Sequence, residues 1–114
     1  MSNEKQFLYV GHYITEQGEY ILKIGTTNDL ERRRKEHTRN YRRCKNCPMP
    51  KDTEFCYDWT LPLSKYNTLR YEDANRAEWQ KMGIGTFIRN DRFKCTEKPP
   101  SIQVSIKKTY TINL

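Results

Sequence analysis

Hydrophobic and polar positions alternate along residues 7–14, FLYVGHYI: Phe7, Tyr9, Gly11 and Tyr13 fall on one face of an extended chain, and Leu8, Val10, His12 and Ile14 on the other. Both rows carry apolar or aromatic groups, the pattern of a strand covered on both sides. Glu16-Gln17-Gly18 supplies a glycine-containing turn and Tyr20 to Gly25 resumes an apolar run, so the two segments predict an antiparallel hairpin. Thr26-Thr27-Asn28 offers several N-caps, and Asn28 with Glu31 has the spacing of a capping box, which predicts a helix ending near Asn40 or Tyr41.

Two prolines in RRCKNCPMPKD, residues 42–52, exclude a helix and predict a loop. Glu54 to Leu61 alternates again, with Phe55, Tyr57 and Trp59 opposing Cys56, Asp58 and Thr60, as in a third strand. Pro62 to Lys65 reads as a link to a second helix, from Thr68 to about Met82, which Gly83 and Gly85 terminate. Thr86–Ile88 and Arg92–Cys95 are short extended candidates around an Asn90-Asp91 turn. After Pro99-Pro100, Ser101 to Asn113 alternates as a final strand that completes or extends the sheet, with Lys107 and Lys108 breaking the pattern as at an edge or a turn. The sum is an α/β (α+β) fold: a small central antiparallel three-stranded sheet with flanking helices and a C-terminal strand.

Length changes the picture little: 114 residues make one domain, spanning 1–114. The hydrophobic fraction of 35% and mean hydropathy of −1.03 imply a thin core or a very polar surface. Eight tyrosines partly offset this, each burying a ring while keeping a polar tip. No apolar run approaches the length of a membrane span and MSNEKQ lacks a signal-peptide core, so the expectation is an intracellular, cytoplasmic protein in a reducing compartment, not secreted and with no membrane partner.

Charge says more. The net charge is +7 and the pI about 9.3, with the excess concentrated in Arg32, Arg33, Arg34, Lys35, Arg39, Arg42, Arg43 and Lys45. Such a run suits a polyanion, and equally a solvated helix face. Within it Arg33 and His37 lie four apart on one helical face, beside the end of the second strand. On the second helix Tyr71, Ala74, Glu78 and Met82 follow at helical steps, which places the Glu78 carboxylate in an apolar row where it needs a partner. Glu72 is accounted for by Arg76 four residues on.

Taken in order, Phe7-Leu8-Tyr9, Lys23-Ile24-Gly25, Arg33 and His37 resemble the paired strand motifs, helical arginine and following histidine of the GIY-YIG endonuclease superfamily. Here Gly-Ile-Tyr has become Phe-Leu-Tyr, and Lys23 stands where the second tyrosine would be. Gly11-His12-Tyr13 is a competing match for the first motif, but folding the hairpin about Gln17-Gly18 brings Tyr9 near Gly25, as the family arrangement requires. Ala74 to Trp79 is similar to the Ala-x-x-x-Glu-aromatic pattern of the family's metal-binding helix, with Glu78 as the carboxylate.

The resemblance implies a DNA endonuclease with a one-metal mechanism. Arg33 would fork onto the phosphoryl oxygens and Glu78 would hold a single Mg2+ or Mn2+. Tyr9 would be the general base, its proton drawn off by Lys23 and Arg33. Lys23 would depress the tyrosine or contact phosphate, and His37 would assist proton transfer or bind phosphate. The remaining basic residues Arg32, Arg34, Lys35, Arg39, Arg42 and Arg43 would contact nucleic acid. Specificity would come from the 42–52 loop, a homo-oligomer or a protein partner, and a small nuclease of this kind suits a phage or mobile element. Each residue also has a structural reading: Tyr9 as a core aromatic, Arg33 as a solvated cation, His37 against the helix dipole, Glu78 beside Lys81. The competing functional reading is a module that kept the fold and lost the chemistry, binding nucleic acid or a protein through its basic helix. Finally, Cys44, Cys47, Cys56 and Cys95 could hold a structural Zn2+, but only the first two are closely spaced, and free thiols are the favoured reading.

Overall fold

The computed structural model describes residues 5–89 and 91–114. β1 (Lys5–Ile14) and β2 (Tyr20–Thr27) form the expected antiparallel hairpin, with Tyr9 opposite Gly25 and Gly11 opposite Lys23. Gly18, at φ 85°, makes the turn in a conformation that costs glycine nothing. β3 (Cys56–Ser64) pairs with the other side of β1, β5 (Arg92–Cys95) pairs with β2, and β4 (Thr86–Phe87) pairs with β5. The result is a five-stranded antiparallel sheet in the order β3-β1-β2-β5-β4. The α+β class is as expected, and the three-stranded centre gains two short strands at the β2 edge. The Asn90 half of the predicted Asn90-Asp91 turn lies outside the described residues.

β3 runs on through Pro62, which the sequence reads as a linker. As the outermost strand it can carry a proline without losing a bond on its open side. Its alternation is interrupted as well: Val10 faces Trp59 while Gly11 faces Tyr57, leaving Asp58 as the extra residue of a β-bulge. Phe55 and Tyr57 therefore pack on one side of the sheet, and Trp59, Leu61 and Leu63 on the other.

Two layers of apolar side chains enclose the sheet. On one side α1 (Leu30–Arg42) and the loop that follows it cover Tyr9, Tyr13 and Ile21 with Tyr41, Met49 and Phe55. On the other, α2 (Lys65–Met82) and the C-terminal segment cover Leu8, Val10, Leu22, Ile24 and Phe93 with Trp79, Ile102, Val104, Ile106 and Ile112. α2 begins at Lys65, behind the N-cap Ser64, rather than at Thr68, and ends at Gly83 in the left-handed conformation.

The C-terminal segment differs from the expected single strand. Lys107, at φ 61°, reverses the chain, so β6 (Ser101–Ile106) and β7 (Lys108–Asn113) pair as a separate two-stranded sheet instead of extending the main one. Alternate residues Ile102, Val104 and Ile106 are buried, which gives the hairpin one apolar face. Asn75 of α2 donates to the Ser105 carbonyl at 3.1 Å and accepts from the Ser105 N–H at 2.8 Å, and Trp79 Nε1 donates to the Gln103 carbonyl at 2.9 Å. No helix among the described residues is long and apolar enough to cross a membrane.

Those contacts fix the rotation of α2. Its buried row is Thr68, Glu72, Asn75 and Trp79, whereas Ala74, Glu78 and Met82 are exposed. The inward placement expected for Glu78 is thus overturned. The indole, the largest apolar group on the helix, takes the inner position, and Glu78 one residue before it is carried out to solvent.

Candidate active site

Four of the predicted site residues converge. Tyr9 on β1, Lys23 on β2, and Arg33 and His37 on α1 line one cavity of 310 Å³. Gly25, Thr26, Asn40 and Tyr41 line it too, with two carboxylates, Glu72 from α2 and Asp91 from the turn before β5. Glu78 is not among the lining residues, and neither is Tyr13, whose hydroxyl donates to the Cys47 carbonyl at 3.1 Å.

Local sequence explains the convergence. Ile21 packs in the α1-side layer, so Lys23 and Gly25 two and four residues on face the same way. α1 starts with Asp29 as N-cap, its carboxylate accepting from the Arg32 N–H, and not with the Asn28–Glu31 box. Thr27 accepts from the Asp29 N–H at 3.1 Å, which sets Asp29 one residue closer to the helix, while Asn28 turns outward to accept from Arg32 Nη2. From that start Arg33, His37, Asn40 and Tyr41 share the cavity side of the helix. Asp91 is left-handed at φ 57°, its carbonyl accepts from the Ile24 N–H, and its carboxylate accepts from Arg76 Nη1 at 3.0 Å.

Gly25 is required by packing. A Cβ there would overlap the hydroxyl of the fully buried Tyr9 directly across the hairpin. Gly25→Ala is expected to displace the phenol and lower stability by about 1 to 3 kcal/mol, measured by urea unfolding, with a larger proportional loss of any activity that uses Tyr9.

The Tyr9 hydroxyl and His37 Nε2 are 2.5 Å apart. Burial pushes the phenol well above its ordinary range; Arg33 beside it pulls the other way without prevailing. Tyr9 is therefore a neutral phenol here, which corrects the expectation that Lys23 and Arg33 draw off its proton. Burial, with the charges of Lys23, Arg33 and Arg92, holds His37 down to about 3. His37 is then a neutral imidazole accepting from the Tyr9 hydroxyl. Burial lowers Lys23 and raises Glu72, and Asp91 beside Glu72 raises it further. Burial disfavours the charge on Asp91 too, but Glu72, Arg76 and Lys23 outweigh it and hold that carboxyl below its ordinary range. A proton thus rests on Glu72 more readily than on its neighbour.

The imidazole makes stability depend on pH. The unfolded chain takes up the proton near the ordinary value of 6.5 and the folded chain only near 3, so stability is full above that upper value and falls as pH drops between the two. At pH 5 the loss through His37 is expected to be about 2 kcal/mol. Urea midpoints for wild type and His37→Phe from pH 7 to pH 5 check it, the wild type showing the steeper decline.

Apart from Arg33, the basic run does not gather at this cavity. Lys35, Arg39, Arg42 and Arg43 border a separate shallow depression of 600 Å³ with Thr38, Lys51 and Glu54. Arg34 is paired with Glu31 and Glu54, and Arg32 lies 3.8 Å from Glu36. The four cysteines do not converge either. Cys44 and Cys47 adjoin on the α1 side, Cys95 is buried in the opposite layer and Cys56 is exposed, so no zinc site drawing on all four forms.

Sequence reasoning missed Glu72 and Asp91. Glu72 does not pair with Arg76, which instead binds Asp73 at 3.2 Å and Asp91 at 3.0 Å. The available signal was Trp79: with the indole inward, the residue two turns earlier, Glu72, must be inward too.

A five-stranded antiparallel sheet flanked by two helices, with a polar cavity that brings together two carboxylates, the two cations Lys23 and Arg33, the neutral imidazole of His37 and the buried Tyr9, defines an α+β domain with one concentrated cluster of titratable groups. The chain belongs to the T5orf172 domain family, whose match spans residues 6–98; the domain is found in nuclease-like proteins of phages and mobile elements. No curated protein and no solved structure matches the chain.

Proposed function

We propose that this protein is a GIY-YIG-type, metal-dependent endonuclease that hydrolyses or nicks DNA. The observation that carries the reading is the meeting of Tyr9, Lys23, Arg33, His37 and Glu72 in one cavity. Glu72 replaces Glu78 in this reading.

Hydrolysis of a phosphodiester needs a proton acceptor for the attacking water and compensation for charge on the phosphoryl oxygens. Arg33, half-buried and held by Glu36 at 3.0 Å, presents its guanidinium to the cavity and forks onto the non-bridging oxygens. Tyr9 accepts the water proton as it passes its own to His37 Nε2, a relay that the 2.5 Å contact supports. Burial is the main cause that holds His37 down; of the cations that add to it, Lys23 and Arg33 line the cavity, and a phosphodiester anion entering there would offset their charge and raise the basicity of the imidazole. Lys23 contacts phosphate or the leaving oxygen.

The donor set fits one hard divalent cation. Glu72 and Asp91 supply oxygen ligands in the same cavity, and a cation that keeps most of its waters needs no more than one or two carboxylates. Mg2+ or Mn2+ held there would neutralise developing charge on the phosphoryl group. DNA contacts beyond the cavity fall to Lys35, Arg39, Arg42 and Arg43, with a homo-oligomer or a protein partner as the source of sequence specificity.

Supercoiled plasmid incubated with the protein and Mg2+ or Mn2+ tests this, beside an EDTA lane and Arg33→Ala. Nicked or linear product from wild type alone, lost with chelator, is the expected result. Intact plasmid in every lane, together with a salt-sensitive gel shift, would establish a catalytically inactive binding module instead.

A further inference from the structure

Beyond the cavity of Tyr9 and Glu72 lies a second one of 470 Å³, sharing Asn40 and Tyr41 with the first and lined also by Cys44, Cys47 and Arg92. The two sulfurs are 3.2 Å apart. Arg92, buried, places Nη1 3.3 Å from Cys47 Sγ and 3.8 Å from Cys44 Sγ, and the same atom donates to the Tyr13 hydroxyl at 2.9 Å. The Cys44 and Met49 N–H groups both donate to the Tyr41 carbonyl, so the loop carrying the pair is tied to the end of α1.

We propose that Cys44 and Cys47 form a redox-active dithiol, oxidised to a disulfide by exchange with low-molecular-weight disulfides, with Arg92 as the cation that stabilises the attacking thiolate. Cys44 is partly exposed and Cys47 is buried, which assigns Cys44 as the attacking sulfur and Cys47 as the resolving one. A guanidinium within hydrogen-bonding reach of a sulfur favours a thiolate there and opposes a divalent metal. The other charged groups lining the cavity, Lys45, Arg89 and Lys94, are cationic as well, and no carboxylate among the described residues lines it. Burial pushes the Cys44 thiol up, but hydrogen bonds with Cys47 and Arg92 more than offset it and bring it below the ordinary thiol range.

The exchange balances in two steps. The Cys44 thiolate attacks one sulfur of the small disulfide, forming a mixed disulfide and releasing one small thiolate. The Cys47 thiolate then attacks Cys44 Sγ, closing the intramolecular disulfide and releasing the second. The protein loses two electrons and two protons, and the small disulfide is reduced to two thiols. The assignment is independent of the nuclease reading.

The test equilibrates full-length protein with glutathione buffers of increasing oxidised fraction, then quenches with acid, alkylates and maps thiols by mass spectrometry. A Cys44–Cys47 disulfide forming before any change at Cys56 or Cys95 is expected. Cys47→Ser should trap glutathione on Cys44, and Cys44→Ser should leave Cys47 unmodified. In the wild type, Cys44 should alkylate at least about tenfold faster than Cys56 at pH 7, and Arg92→Gln should shift the pH profile of that alkylation upward, with partial rescue by Arg92→Lys. Thiols that stay reduced in the most oxidising buffer, or zinc copurifying with the protein and released on alkylation of Cys44 and Cys47, would overturn it.

Discussion

Glu72→Gln is expected to lower metal-dependent DNA cleavage by at least about a thousandfold while making the folded protein more stable at pH 8. Both effects come from one buried carboxyl. Burial and the neighbouring Asp91 raise Glu72, so the folded protein prefers it protonated. Stability from that preference is present below the ordinary carboxylate range and is lost as pH rises through the raised value. A neutral amide avoids the loss, and the gain at pH 8 should be on the order of 1 to 2 kcal/mol, shrinking towards pH 5. A residue kept at the expense of stability is what a functional site requires; a carboxylate retained for structure would show the opposite sign. Glu78→Gln is the control. Being exposed, it should leave the rate within about twofold and the stability within about 0.5 kcal/mol of wild type. Plasmid-nicking rates and urea midpoints at pH 5 and 8 decide the matter, and activity lost in Glu78→Gln but kept in Glu72→Gln would return the metal-binding role to Glu78.

The second large effect concerns the tail. Deleting residues 101–114 is expected to prevent stable folding, even though the family match ends at 98. The hairpin supplies Ile102, Val104, Ile106 and Ile112 to the layer around Trp79. At about 1.5 to 3 kcal/mol for each buried aliphatic side chain, their loss approaches the whole stability of a small domain. Asn75 and Trp79 would also lose their partners on β6. Circular dichroism and hydrogen exchange on the shortened chain would show it, α2 losing protection first. Asn75→Ala is a milder form of the same experiment and should cost about 1 to 3 kcal/mol by leaving the Ser105 backbone groups unpaired.

Which parts of this were legible in the sequence follows from the range over which each residue is governed. The β1–β2 hairpin and α1 are local: alternation, a glycine turn and a cap place Tyr9, Lys23, Arg33 and His37 on one side with no further information. α2 has no such internal marker. Its apolar groups are scattered, and its rotation is fixed by Trp79 and Asn75 reaching Gln103 and Ser105, 24 and 30 residues further along the chain. A reading of α2 alone therefore chose Glu78 over Glu72. The bulge at Asp58 hides in the same way, since the extra residue is defined only by its partners on β1. Burial likewise cannot be read from the arginines near Tyr9, and it is burial that keeps the phenol protonated.

On the proposed nuclease reading, the division of α1 into two basic faces is expected to separate affinity from turnover. Arg33 looks into the cavity, whereas Lys35, Arg39, Arg42 and Arg43 look out over a different surface. Counterions displaced from a duplex by the outer four are returned as salt rises, so added salt should raise the half-saturating DNA concentration. Each neutralised outer residue should flatten that salt dependence by roughly one counterion. The rate at saturation, governed from the inner face, should barely move. On this geometry ionic strength acts as a dial on encounter, leaving the chemistry alone.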